Sequence, residues 1–210
     1  MEEKEIHDEL ASIRNLMERS SKFISLSGLS GILAGLYALA GAAAAYFILY
    51  TGNSRITYHP RFYSLDYFLD SDVGHLVFIA GLVLAVSLVT GYVLTSRKAE
   101  KKGQSIWGTA SRALLFNMAV PLISGGLLIF ILLIRGHYGI VSPASLIFYG
   151  LALVAASNFT FIMVKYLGFC EIILGLVAAC LPGYGLLFWA IGFGVLHIVY
   201  GSLMYLKYDR

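Results

Sequence analysis

Charge is scarce in this 210-residue chain: Asp, Glu, Lys and Arg together make up 13% of it. A soluble domain carries roughly twice that share, so the polar surface needed to face water on all sides is missing. Hydrophobic residues fill 59% of the chain, which leaves the bilayer as its solvent. Cysteine is almost absent, with only Cys170 and Cys180. Ten residues of one helix hold them ~15 Å apart, too far for a disulfide, so both read as reduced thiols packed against lipid or a neighbouring helix.

The signatures of the common enzyme classes are also lacking. There is no His-x-x-x-His or His-Glu-x-x-His zinc pattern, no Gly-x-Ser-x-Gly nucleophile elbow, no Cys-x-x-Cys pair and no phosphate-binding loop. The expectation is a non-catalytic protein with no metal and no cofactor. Asp70, Asp72 and His75 could offer ligands to a divalent ion, but Asp also caps a following helix, and no defined motif joins the three. A cleavable leader is not expected either, because the start is acidic and amphipathic and the first apolar segment is too long for one.

What the chain does have is long apolar runs. Six of them follow a polar start, at residues 23–50, 73–95, 113–134 and 143–164, then in a C-terminal hairpin over 167–206 that bends at Leu181-Pro182-Gly183-Tyr184-Gly185. Each is long enough to cross hydrocarbon. Pro121 lies inside the third run, where membrane helices tolerate a kink if neighbours satisfy the freed carbonyl. The fold class expected is all-α: a single six-helix transmembrane bundle over 23–206, with a short amphipathic helix over 1–22 and a tail at 207–210. In that first helix Ile6, Leu10, Ile13 and Met17 recur on one narrow stripe, with acidic residues early and basic residues late. This order suits the helix dipole and a helix that packs on the protein's own face, or one that docks a second copy or a protein partner through residues 1–20.

Lysine and arginine set the orientation. With the N-terminus inside, twelve fall in inner segments (Lys4, Arg14, Arg19, Lys22, Arg97, Lys98, Lys101, Lys102, Arg112, Lys165, Lys207, Arg210), against Arg55, Arg61 and Arg135 outside. The positive-inside rule then places both termini in the cytoplasm. The same rule accounts for the basic loop 97–112, so no nucleic-acid partner is expected; the lipid bilayer is the partner the composition demands. The segment rhythm is that of small bacterial membrane proteins, with the cytoplasmic membrane as their location. The aromatic loop at 51–72 then lies outside, at headgroup depth.

Two ionisable side chains fall within hydrocarbon, Glu171 and His197, at nearly equal distances from the Pro-Gly bend. Antiparallel helices should therefore bring them to similar depth. Asn117, Asn158 and Thr90 fall at comparable depth on other helices, which predicts a wider polar cluster in the cytoplasmic half of the bundle, with Glu171 near the start of its helix. A carboxyl there is expensive, about 3 kcal/mol at the membrane centre, and must pair, take a proton or meet water. The functional reading is a pocket for a small-solute or proton-linked carrier, or a receptor. The structural reading has Glu171 reaching water and the amides joining helices. A second function class follows from Gly28, Gly31 and Gly35, a small-residue face on the first span that lets another helix approach closely. Through that face and the N-terminal helix the chain would act in membrane assembly or regulation. Gly192-Phe193-Gly194, inside the last apolar run, reads as packing or flexibility.

Overall fold

The structure is a computed structural model that describes residues 22, 23, 26–51, 71–101 and 107–209. The amphipathic helix expected over 1–20, residues 52–70 of the aromatic loop and residues 102–106 of the basic loop lie outside the described residues. Within them the chain is all-α. Its helices are α1 (Gly28–Thr51), α2 (Asp72–Lys101), α3 (Thr109–Ile134), α4 (Tyr138–Ala156), α5 (Ile162–Cys180) and α6 (Gly185–Asp209). All six are long and apolar enough to cross a bilayer, as expected of a multi-pass membrane protein.

Glycine decides how these helices meet. On α1, a Cβ at Gly35 would lie 2.6 Å from the Gly194 carbonyl oxygen, and one at Gly31 would lie 3.1 Å from the Gly201 Cα. The face formed by Gly28, Gly31 and Gly35 is therefore occupied by α6 of the same chain, with the two backbones in contact. The α4–α5 pair repeats the device: a Cβ at Gly150 would meet the Gly168 oxygen at 2.6 Å, and one at Gly168 the Gly150 oxygen at 2.7 Å. Helix α6 joins the two pairs by packing on α1, α4 and α5. The remaining helices are carried on the flanks, α2 on α1 and α3 on α4. Their outer faces carry large apolar side chains such as Phe78, Leu88, Phe116 and Phe130, all well exposed, as suits contact with lipid.

Two departures from the sequence expectation bear on the site, one a helix boundary and one the geometry of the last helix. The fourth run was expected to continue to residue 164, but α4 ends at Ala156 and a single tight turn, Ser157–Phe159, leads into α5 at Ile162. The Ser157 hydroxyl donates to the Val154 carbonyl and the Thr160 hydroxyl to the Phe23 carbonyl. Such short polar side chains compete with the helical backbone bonds. Lys165, expected to close the fourth span, thus stands near the start of the fifth. The last helix is also not a uniform α-helix. Residues Ala190–Leu196 form a widened π-helical stretch, and Tyr205–Asp209 a second.

Polar contacts gather the helix ends on one side of the bundle. Asp209, at the end of α6, accepts from the Gly28 backbone N–H at 2.8 Å and from the Ser27 hydroxyl, and forms an ion pair with Lys98. Lys98 also donates to the Leu26 carbonyl at 2.6 Å. Phe23 N–H donates to the Phe159 carbonyl, and the Phe161 ring packs on Tyr208. The start of α1, the ends of α2, α4 and α6 and the start of α5 are tied together there. At the opposite side the Ser142 hydroxyl donates to the Gly185 carbonyl, and Ser71 caps α2 by accepting from Gly74 N–H.

Candidate functional site

Helical periodicity turns Glu171 inward. The buried residues of α5 are Val164, Leu167, Gly168, Glu171, Gly175 and Ala178, a stripe at spacings of three and four that faces the neighbouring helices. Glu171 stands in the middle of that stripe, where Gly168 and Gly175 on either side let α4 come close. It is fully buried. It also lies at the midpoint of α5, because that helix begins at Ile162, rather than near the helix start as expected. His197 occupies the midpoint of α6, and its Nδ1 lies 3.5 Å from Glu171 Oε1. The equal depth expected from the Pro-Gly bend is what the geometry has.

The imidazole is held on both sides. Its Nδ1 lies 3.0 Å from the Gly192 carbonyl oxygen, five residues earlier, a reach supplied by the widened π-helical turn between them. A carbonyl only accepts, so Nδ1 carries the hydrogen. Nε2 of the neutral ring is then the acceptor, and the Tyr149 hydroxyl donates to it at 2.7 Å. The Tyr149 ring packs on Phe193 and His197, and Phe193 packs on Trp189. An aromatic wall thus runs along α6 beside the imidazole.

Glu171 has no such provision. Among the described residues, its two carboxyl oxygens and the Ser96 hydroxyl are the buried side-chain polar atoms with no hydrogen-bond partner. An unsatisfied buried polar group costs about 1–3 kcal/mol, and more if charged. The carboxyl is packed closely on α6: a Cβ placed on Gly192 would lie 2.5 Å from Oε2 and from Leu146 Cδ2, and 3.2 Å from Leu174 Cδ2. Glycine at 192 is what allows the carboxyl to fit against α6 at all.

The other residues of the expected cluster lie elsewhere. Asn117 donates to the Ala113 carbonyl of its own helix. Asn158 is exposed in the turn after α4. Thr90 lies 3.5 Å from the Tyr37 hydroxyl in the α1–α2 contact. The structure brings together Glu171 and His197, and adds Tyr149 and Gly192. Tyr149 had a signal in the sequence: it sits mid-span, away from the interfacial positions that tyrosines favour. Of the residues weighed for metal binding, Asp70 lies outside the described residues and His75 is bonded through Nδ1 to the Ser71 carbonyl. No cluster of three metal-ligating side chains occurs among the described residues. Comparison with known proteins finds no matching family model, no matching curated protein and no matching solved structure.

Proposed function

We propose that this chain is a non-catalytic carrier or receptor for a small solute or proton, and that Glu171 is its working group. The observation that carries this reading is a fully buried carboxyl at the middle of α5 with neither oxygen hydrogen-bonded, 3.5 Å from a histidine whose own two nitrogens are already engaged. A group kept only for helix packing would be expected to be satisfied, since unpaired burial is costly, and ionisable groups within membrane spans mark ion and proton pathways. The lysine and arginine distribution supports both termini in the cytoplasm, in a bacterial-type cytoplasmic membrane. Residues 1–20 serve on this reading to dock a second copy or a protein partner, and nucleic acid has no part.

The alternative, assembly or regulation through the N-terminal helix and the glycine face of α1, has less to support it. That face is filled by Gly194, Ile198 and Gly201 of α6 and does not offer itself to a second chain.

The test is reconstitution of the full chain into vesicles loaded with a pH-sensitive dye, with a membrane potential imposed. Proton flux above that of protein-free vesicles is expected from the wild type. Glu171→Gln should reduce it to the empty-vesicle level while the protein still melts cooperatively. Equal flux from wild type, variant and empty vesicles would remove the proton-carrier reading.

A further inference from the structure

Four features of the Glu171 site bear on what it can hold. The carboxyl accepts no hydrogen bond. Its Oε2 lies against Gly192, packed so closely that one added methyl group there would stand 2.5 Å from the oxygen and from Leu146 Cδ2. Its Oε1 faces a ring nitrogen, His197 Nδ1, at 3.5 Å. That nitrogen carries a hydrogen shared toward the Gly192 carbonyl at 3.0 Å, so it presents a donor where a metal ion or an ammonium group would need an acceptor. Sodium, potassium or magnesium needs several oxygen ligands around it, a shell for which a fully buried carboxyl packed this closely against Gly192 leaves little room.

We infer that Glu171 binds a proton and excludes larger cations, with Gly192 and Leu146 closing the space and with His197 and Tyr149 as the route by which the proton arrives. This deepens the function proposed above and rests on it. Loading moves one proton in total. The hydrogen on His197 Nδ1 passes to Glu171 Oε1, Nε2 takes the Tyr149 hydroxyl proton, and that hydroxyl takes the entering proton from hydronium, which leaves as water. One carboxyl O–H bond forms, no charge other than that of the entering proton is moved, and the imidazole ends as the other neutral tautomer. His197 and Tyr149 act as positioning and relay groups.

The titratable groups facing the site from each packed helix are few. Helix α4 supplies Tyr149, and α6 supplies His197 and Tyr200, the latter near enough to Tyr149 to interact with it electrostatically. On α5 itself Lys165 is turned away, its ammonium 5.8 Å from the centre of the Phe169 ring. Along Gly28–Tyr50, α1 carries Tyr37, Tyr46 and Tyr50 as its titratable groups; Tyr37 faces Thr90 and Tyr46 stacks on Tyr50. No lysine, arginine or second carboxylate is set against Glu171 among these.

Infrared difference spectra of the full chain in vesicles test the inference. The carbonyl stretch of one protonated carboxyl should titrate with pH, shift in heavy water, move in Glu171→Asp and vanish in Glu171→Gln. Exchange of sodium for potassium, magnesium or methylammonium at constant pH should leave it unchanged. In Tyr149→Phe deuterium should reach the carboxyl about tenfold more slowly, equivalent to about 1.4 kcal/mol of barrier, with the same final amplitude. The inference is overturned if any of those cations abolishes the band at fixed pH, if no such band titrates, or if it survives in Glu171→Gln. An unchanged exchange rate in Tyr149→Phe overturns the route. The cation test needs only the wild type, so a variant that fails to fold does not suspend it. The two readings fail separately. A cation-displaced band with Glu171-dependent flux defeats the proton selectivity alone, whereas a cation-insensitive band without Glu171-dependent flux defeats the carrier function.

Discussion

At the charged end of the bundle Asp209 meets Lys98, and at its middle Glu171 meets His197. Both contacts set an acid from one helix against a base from another, yet they are built differently. Asp209 accepts from Lys98, from the Gly28 N–H and from the Ser27 hydroxyl, and Lys98 also donates to the Leu26 carbonyl. The charge lies at the start of α1, where a carboxylate meets the positive end of the helix dipole. Asp209 and Lys98 both use their polar atoms in holding helix ends together. Glu171, buried more deeply, has none of these supports. The acid at the helix ends is satisfied and joins helices; the acid at the middle of α5 has no hydrogen bond to do the same.

Substitutions can break or sharpen this contrast. The largest effect on activity is expected from Glu171→Gln, with complete loss of flux in the dye assay but a change in stability of no more than about 1 kcal/mol. Replacement by leucine should be neutral or stabilising, because an apolar side chain of similar volume removes two unsatisfied atoms. Asp209→Ala should behave in the opposite way. It should cost about 2 kcal/mol, read as a lowered melting temperature in detergent, by stripping charge-assisted bonds from Lys98 and from the first turn of α1, while flux per folded molecule stays near wild type. A double-mutant cycle between Lys98 and Asp209 should show coupling of about 1–2 kcal/mol in stability, against about zero for Glu171 and His197. Gly192→Ala should cost about 1–3 kcal/mol as the new methyl group drives Leu146 and the carboxyl aside. The smallest effects belong to Asn117→Ala, Asn158→Ala and Thr90→Val, each within about 0.5 kcal/mol and without effect on flux. Loss of flux in any of the three would extend the site beyond the α4–α5–α6 contact.

Much of the fold was legible in the chain because hydrocarbon length and apolar runs leave little choice: six runs became six helices. The glycine face of α1 was legible as a close contact, and its partner proved to be α6. The depth of Glu171 was misplaced because the break between the fourth and fifth helices is made by Ser157 and Thr160, whose hydroxyls bond to carbonyls. That choice depends on where Phe23 comes to rest, which no local pattern reveals. Asn117, Asn158 and Thr90 looked like cluster members because depth can be counted along a sequence, whereas rotation about a helix axis in an all-apolar run cannot. The π-helical stretch around Gly192 was invisible for a related reason: Gly192-Phe193-Gly194 announces flexibility, and only the packing of Leu146 and Glu171 against Gly192 gives it a purpose.

The most direct test is a paired measurement of proton flux and melting for Glu171→Gln and Asp209→Ala in the same vesicle preparation. The expected result is a crossing: Glu171→Gln without flux and with wild-type melting, Asp209→Ala with lowered melting and wild-type flux per folded molecule. If Glu171→Gln keeps wild-type flux and changes only the melting temperature, the mid-membrane carboxyl is a packing group like the other, and the distinction between the two regions is lost.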